Sequence, residues 1–201
     1  MKKTCIIPFS GGVESTATLL WALERGESPY VFHLVTNGYW ESQLKSTKKI
    51  SEELGIVVNY IKVDWEGVYS NYNLTKKKYK QRPPNNFYWL YWTQIIQTYN
   101  PFIKKVFIGF NGGLTKLGDN LSDIKSEQYH KTVKSLEELS GAEYETPLEH
   151  LTKLQQWNTI PKKIQDMTVS CISAKEYPCG KCFKCKERII IVNNNIKETL
   201  I

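Results

Sequence analysis

An apolar run that breaks into a glycine turn constrains the fold of this chain more than any other segment. Thr4–Phe9 is typical of a buried strand, Ser10-Gly11-Gly12 of a turn, and Glu14–Arg25 of an amphipathic helix. Glycines at such a turn let backbone N–H groups approach a ligand, and the helix N-terminus adds unpaired donors and a positive dipole end. Ser10, Ser15 and Thr16 add hydroxyl groups. The segment therefore predicts a phosphate-binding loop; the alternative is an ordinary strand–turn–helix joint.

The order of strand followed by helix repeats through the first half of the chain. Further β-type runs at Tyr30–Thr36, Ile56–Val63 and Val106–Phe110, with a helical pattern at Glu41–Leu54, predict βαβ units. Such units form an open parallel sheet flanked by helices, so we expect an α/β fold. Ligands bind these sheets beyond the carboxyl ends of the strands. Four loops should meet there: Ser10–Ser15, Asn37–Trp40, Asp64–Glu66 and Asn111–Asp123.

The second half of the sequence has mainly helical patterns. An aromatic-rich helix should begin at Asn85 or Asn86, and others should cover His130–Ser140, Leu148–Trp157 and Pro161–Asp166, before a short C-terminal helix or tail. No repeat, low-complexity tract or linker interrupts the chain. We therefore expect one domain over residues 1–201.

The charge of the chain favours an anionic ligand. Its 27 basic and 20 acidic residues give a formal net charge of +7, which suits a nucleotide, pyrophosphate, a carboxylate or nucleic acid without choosing between them. Lys76–Arg82 interleaves basic residues with tyrosine, as a nucleic-acid surface would, although a basic loop over an anionic site is the preferred interpretation. No apolar stretch has membrane-spanning length and no signal peptide is visible, so we expect a cytoplasmic protein without membrane contact.

Four of the five cysteines lie within fifteen residues near the C-terminus. Cys179, Cys182 and Cys185 form two overlapping C-x-x-C turns, and Cys171 supplies a fourth sulfur. In a cytosolic chain this density indicates a metal rather than disulfides. Four thiolates suit a closed, structural Zn²⁺ site, and an iron–sulfur cluster is the alternative. The sequence predicts a zinc-binding segment over residues 168–188, while Cys5 should lie in the core.

Two motifs together resemble a known family. The loop is similar to the S-G-G-x-D-S pattern of the PP-loop ATP pyrophosphatases, with Glu14 in the aspartate position. The chain as a whole resembles the 7-cyano-7-deazaguanine synthase (QueC) family in the strand, loop and helix from Phe9 to Leu23, in Thr146-Pro147-Leu148, and in the cysteine segment from Thr168 to Arg188. The fold implied is the adenine-nucleotide alpha-hydrolase type with a C-terminal helical zinc knuckle.

The resemblance implies a carbon–nitrogen ligase that splits ATP into AMP and pyrophosphate. It would activate the carboxylate of 7-carboxy-7-deazaguanine and convert it with ammonia to the amide and then the nitrile, preQ0, in queuosine biosynthesis. ATP, Mg²⁺ and Zn²⁺ are the implied cofactors, and we expect a homodimer. Nucleotide-binding residues would be Phe9, Ser10, Gly11, Gly12, Val13, Glu14, Ser15 and Thr16; Zn²⁺ ligands would be Cys171, Cys179, Cys182 and Cys185.

We expect Ser10, Glu14 and Ser15 to act in catalysis as well as in binding. Lys116 is a candidate partner for a carboxylate or the α-phosphate, and Asp119, like Asp64 and Asp123, is a candidate for metal or substrate contact. A flat substrate ring would need a slot, which Tyr39, Trp40 or Phe87 could line.

The chain departs from the family pattern mainly where the substrate would bind. Asn37–Glu41 replaces a Gln-Arg pair, Pro84-Asn85-Asn86 replaces Gly-Arg-Asn, and Asn111–Asp119 replaces an acidic substrate loop. A paralogue that joins a related carboxylate to another amine, including a protein or nucleic-acid amine, is therefore one alternative. Another PP-loop reaction, such as tRNA thiolation, is a second alternative, although Cys5 is the one cysteine outside the predicted zinc site that could serve such a reaction. A zinc-knuckle nucleic-acid-binding protein is the non-enzyme alternative.

Overall fold

A five-stranded parallel sheet forms the centre of the molecule in a computed structural model that describes residues 2–36, 41–63, 85–119, 127–171 and 177–199. Its strands are β1 (Cys5–Pro8), β2 (Pro29–Thr36), β3 (Val58–Val63), β4 (Lys105–Phe107) and β5 (Glu143–Glu145). They lie in the order β3-β2-β1-β4-β5, and every neighbouring pair is parallel. The α/β parallel-sheet prediction is confirmed.

Seven helices are described around the sheet. They are α1 (Val13–Glu24), α2 (Glu41–Leu54), α3 (Asn85–Tyr99), α4 (Glu127–Ser140), α5 (Lys153–Thr159), α6 (Lys162–Gln165) and α7 (Phe183–Thr199). None of the helices in the described part of the chain is both long and apolar enough to cross a membrane.

The side chains of the sheet pack into two apolar cores, one on each face. Successive residues of a strand point to opposite faces, and in β1 Cys5 and Ile7 join one core while Ile6 joins the other. The first core includes Trp157 of α5, and the second includes Leu90 of α3. Helices on both faces bury β1 completely, which explains why this strand has no alternating polar residues.

The strand order creates a crevice at one end of the sheet. From β1 the chain moves outward to β2 and β3, and then returns to place β4 on the other side of β1. The loops after β1 and β4 therefore leave in opposite directions, and open parallel sheets bind ligands at this switch point.

Several elements differ from the sequence predictions, and the strand predicted over Val106–Phe110 is shorter, Lys105–Phe107. The edge strand β5 was not predicted, since its three residues are too few to show a pattern. The helix predicted over Leu148–Trp157 begins only at Lys153, because residues 147–150 form a turn and Thr152 caps the helix. The C-terminal element is a helix of 17 residues rather than a short helix or tail, and Cys185, Glu187 and Ile191 bury one face of it.

Several predicted features lie outside the described residues. These are Tyr39, Trp40, Asp64, the Lys76–Arg82 run and Asp123, together with the side chain of Phe87.

Candidate active site and metal centre

The loop between β1 and α1 is a tight turn with its hydroxyl groups gathered together. Gly11 has φ of +73°, and a Cβ there would lie 2.7 Å from Ser46 Oγ, so glycine is required for both conformation and space. Ser10 Oγ and Ser15 Oγ are 3.0 Å apart, Gly12 N–H donates to Ser10 Oγ, and Ser10 N–H donates to Ser15 Oγ. Gly12 caps α1 without a side-chain hydrogen bond. The first turn of α1 therefore carries backbone N–H groups that its capping residue does not satisfy.

A buried ion pair joins this loop to α5. Lys153 Nζ lies 2.7 Å from Glu14 Oε1 and 2.9 Å from Glu187 Oε2, and the Lys153 side chain is 2% exposed. Lys184 Nζ lies 3.3 Å from the same Glu187 oxygen. Asn111 Nδ2, in the loop after β4, donates to Glu14 Oε1 at 3.2 Å. Two lysines and two carboxylates thus bring α1, α5 and α7 together with balanced charge.

This network keeps Glu14 and Lys153 ionised. Burial alone would raise the pKa of Glu14, but the charges of Lys153 and Lys184 and the Lys153 hydrogen bond lower it to about 2. Burial likewise opposes the charge on Lys153, yet Glu14 and Glu187 raise the pKa of Lys153 above its ordinary value. The site therefore holds a carboxylate and an ammonium ion at neutral pH.

Gly109, just after β4, makes the close approach of the two loops possible. A Cβ at this position would lie 2.6 Å from the carbonyl carbon of Glu14 and 2.7 Å from the Ser15 nitrogen. Real side chains do not tolerate such distances to backbone. Glycine here allows the chain after β4 to lie directly against the first turn of α1.

A cleft opens at the switch point between β1 and β4. It combines loop residues, lysines and an aromatic wall, and Trp89 lies in that wall while also packing against the second core. Its lining residues are Pro8, Ser10, Gly12, Glu14, Ser15, Gln43, Trp89, Leu90, Ile108, Gly109, Phe110, Tyr129, Lys153, Val169, Ser170 and Lys184.

Lys116 and Asp119 do not line this cleft. Lys116 is exposed. Asp119 Oδ2 accepts the Leu114 N–H at 2.7 Å, which closes the loop after β4. Lys153 and Lys184 are the lysines that the described structure brings to the cleft, and neither was predicted. The sequence does indicate that Lys153 is the first residue of a helix, because Thr152 and Gln155 form a capping box with the S/T-x-x-E/Q pattern.

The four C-terminal cysteines gather at a single point. Their Sγ atoms, from Cys171, Cys179, Cys182 and Cys185, all lie within 4.8 Å of one another. Gly180, with φ of +67°, makes the turn between two of them possible. The Cys182 N–H donates to Cys179 Sγ and the Cys179 N–H to Cys171 Sγ, each at 3.3 Å. This arrangement could hold a metal ion.

The thiols of the cluster differ in how easily they ionise. Backbone N–H groups of Lys181 and Cys182 lower the pKa of Cys179 to about 6. Burial raises the pKa of Cys185 to about 12. Cys5, in contrast, is fully buried in β1, and burial raises its pKa to about 12.

The segment before the cysteine cluster packs directly on the glycine loop. The Val169 N–H donates to the Gly11 carbonyl at 2.8 Å, and Ser46 Oγ lies 3.0 Å from the same oxygen and 2.7 Å from the Met167 carbonyl oxygen. Gln43 Nε2 donates to the Cys171 carbonyl at 3.1 Å. The segment that leads into the candidate metal centre therefore packs on the loop, and its residues Val169 and Ser170 line the cleft.

Comparison of the sequence with protein families gives one match over nearly the whole chain. The family described as "Queuosine biosynthesis protein QueC" matches residues 4–191. The chain belongs to the QueC family. A comparison with curated proteins finds no significant match.

Two of the solved structures similar to this QueC-family chain illustrate its fold. A predicted subunit of tRNA methyltransferase from Methanocaldococcus jannaschii is 19% identical, with a TM-score of 0.50, over 79% of this chain and 74% of the other. The NMN synthetase from Francisella tularensis is 15% identical, with a TM-score of 0.54, over 96% of this chain and 77% of the other. Family and fold together indicate an ATP-using enzyme of the adenine-nucleotide alpha-hydrolase type.

Proposed function

We propose that this chain uses ATP to convert 7-carboxy-7-deazaguanine, with ammonia, first to the amide and then to the nitrile. Each activation releases pyrophosphate when a substrate oxygen attacks the α-phosphorus of ATP. Ammonia displaces AMP from the first adenylate, and loss of AMP from the activated amide leaves the nitrile. The observation that carries the proposal is the cleft at the switch point, where the Ser10–Ser15 loop and a buried lysine converge in a chain of the QueC family.

The residues of the cleft fit a triphosphate. Gly11 and Gly12 leave the loop backbone without side chains, and a Cβ on Gly12 would lie 3.3 Å from Ser10 Oγ. Ser10 and Ser15 hydroxyls can turn from each other toward those oxygens. Lys153 supplies a positive charge that opposes the charge developing on the departing pyrophosphate.

Glu14 is the described carboxylate best suited to a divalent cation in this cleft. It is ionised and lines the cleft together with Ser10 and Ser15. Carboxylate and phosphate oxygens are the ligands that Mg²⁺ prefers, and the ion would supply charge neutralisation between phosphates. The Glu14 contact with Lys153 holds the carboxylate at this position before a cation arrives.

Zinc is the metal that best fits the four cysteines. A Zn–S bond of about 2.3 Å in a tetrahedron separates neighbouring sulfurs by about 3.8 Å, and Cys182 Sγ and Cys171 Sγ lie 3.9 Å apart. One ion fills the centre of such a group, whereas a cluster containing several irons would hold its cysteine sulfurs farther apart. Cys171, Cys179, Cys182 and Cys185 would hold this ion in a structural role.

A planar substrate ring finds an aromatic wall in the cleft. Trp89, Phe110 and Tyr129 line it, and the rings of Phe110 and Tyr129 have centroids 4.3 Å apart. Such a wall suits an adenine or a deazapurine ring. A second candidate, a paralogue acting on another carboxylate or amine, is favoured by the sequence of Asn37–Glu41, which departs from the family pattern.

Product analysis tests the proposal. The purified chain is incubated with ATP, Mg²⁺, ammonium and 7-carboxy-7-deazaguanine, and the products are identified by mass spectrometry. We expect AMP, pyrophosphate and the nitrile, with omission of the acid as the control. ADP and phosphate as products would refute α–β cleavage. If AMP forms only with a different carboxylic acid, the proposed cleavage of ATP is supported and the proposed substrate is wrong.

A further inference from the structure

Glu187 is a buried carboxylate that no feature of the sequence indicated. It lies on α7, two residues after Cys185, and is 6% exposed. Its Oε2 atom contacts the ammonium groups of two lysines, Lys153 at 2.9 Å and Lys184 at 3.3 Å. A buried carboxylate is costly unless it is paired, and both partners of Glu187 line the cleft.

Glu187 and Glu14 contact the ammonium group of Lys153 from different sides. Glu14 holds Lys153 from the loop side at 2.7 Å, and its carboxylate also lines the cleft, where a cation or substrate would compete for it. Glu187 holds the same ammonium from the helix behind it. A lysine side chain has four rotatable carbons and loses considerable entropy when fixed. With Glu187 in place, Lys153 keeps one carboxylate partner even when Glu14 turns to another ligand.

We propose that Glu187 is a positioning residue that anchors Lys153 and Lys184 in the cleft for the phosphate chain of ATP. The inference rests on the proposed use of ATP. It also gives α7 a role beyond its cysteine: the helix that follows the cysteine turns carries the carboxylate that orients the cleft lysines.

Binding of a nucleotide that cannot be cleaved between the α- and β-phosphates provides the test. Titration calorimetry with α,β-methylene-ATP and Mg²⁺ compares the wild type with Glu187→Gln, which keeps the size and removes the charge, and with Glu187→Asp, which keeps the charge on a shorter stem. We expect about a tenfold or greater loss of affinity in Glu187→Gln, because a lysine released from this carboxylate would lose a charged hydrogen bond to the phosphates, and a partial rescue in Glu187→Asp. Glu53→Gln is the matched control, since Glu53 pairs with the exposed Lys163 outside the cleft.

Two outcomes of this titration overturn the proposal. Tighter binding in Glu187→Gln would mean that the carboxylate acts only as a negative charge near an anion. Unchanged affinity with a lower unfolding midpoint would mean that Glu187 serves stability alone.

Chemical labelling separates this inference from the proposed function. If the wild type binds no nucleotide, the proposed use of ATP is refuted. The contact between Glu187 and Lys153 can still be tested by acylation of Lys153 with N-hydroxysuccinimide acetate, followed by peptide mass spectrometry. We expect slow acylation in the wild type and in Glu53→Gln and several-fold faster acylation in Glu187→Gln. Equal rates in all three proteins would overturn the anchoring.

Discussion

Lys153→Met should strongly lower the free energy of unfolding, because it removes the ammonium group that pairs with two buried carboxylates in the cleft. The substitution keeps the length and apolar stem of the side chain but removes the ammonium that Glu14 and Glu187 contact at 2.7 and 2.9 Å. Lys184 remains near Glu187, so Glu14 loses its closest positive charge. Removal of one partner from a buried ion pair costs about 3–5 kcal/mol, because an uncompensated charge stays behind.

The pKa of Glu14 determines how this cost depends on pH. Burial raises this pKa, but the charges of Lys153 and Lys184 lower it from 4.5 to about 2 in the folded protein. Because the folded pKa is the lower one, this stabilisation is present above pH 4.5 and is lost as the pH falls toward 2. In Lys153→Met, burial without the ammonium raises the pKa of Glu14, so stability should fall as the pH rises. The difference between the two proteins should therefore be large at pH 7 and should shrink below pH 4.5.

Urea unfolding followed by tryptophan fluorescence at pH 7 and pH 4 measures both effects. Lys163→Met is the matched control, because it breaks a 2.6 Å ion pair with Glu53 whose lysine is 70% exposed. Exposed pairs contribute about 0–1 kcal/mol, so the control should lose little at either pH. A Lys153→Met protein within about 1 kcal/mol of the wild type at pH 7, with no dependence of the difference on pH, would refute the reasoning.

Three further predictions concern the loop, the strand contact and the metal. Ser10→Ala and Ser15→Ala should each weaken binding of α,β-methylene-ATP by about tenfold or more in calorimetry, since each removes a hydrogen bond to a charged phosphate. Unchanged affinity in both variants would contradict the placement of the phosphates at this loop. Gly109→Ala should lower the free energy of unfolding by about 1–3 kcal/mol, because its Cβ would lie 2.6 Å from the Glu14 backbone, and a neutral result in urea unfolding would contradict the close approach. Elemental analysis should find one zinc per chain, lost in Cys185→Ser together with much of the stability of the C-terminal segment; iron in place of zinc would contradict the assignment.

The sequence predicted those parts of the molecule that depend on neighbours along the chain. The β1–loop–α1 unit follows from an apolar run, two glycines and a helical pattern within twenty residues. Three members of the cysteine cluster follow from C-x-x-C spacing, which brings Cys179, Cys182 and Cys185 together through two overlapping turns. In both cases local geometry is enough to place these groups, whereas Cys171 joins them from eight residues earlier in the chain.

The parts that were missed depend on contacts between distant residues. Glu14, Lys153 and Glu187 come from three helices, and no local pattern indicates that their charges meet in the fold. Lys116 was chosen because it lies in a loop near the expected edge of the sheet, yet that loop closes on itself through Asp119. The strand β5 has only three residues and pairs at the edge of the sheet, where register comes from β4.

The four-cysteine cluster and the glycine loop are joined by direct contacts, so these two features belong to one connected part of the structure. The segment leading to Cys171 donates a backbone hydrogen bond to Gly11, and the helix that carries Cys185 delivers Glu187 to Lys153. Lys153 in turn contacts Glu14, two residues after the glycine turn. A metal ion at the cysteines would therefore fix both the backbone wall and the charged wall of the same cleft. Rigid support of this kind is what positions catalytic groups within a fraction of an ångström, so a metal ion at the cysteines would act on the cleft indirectly, through the elements that form its walls.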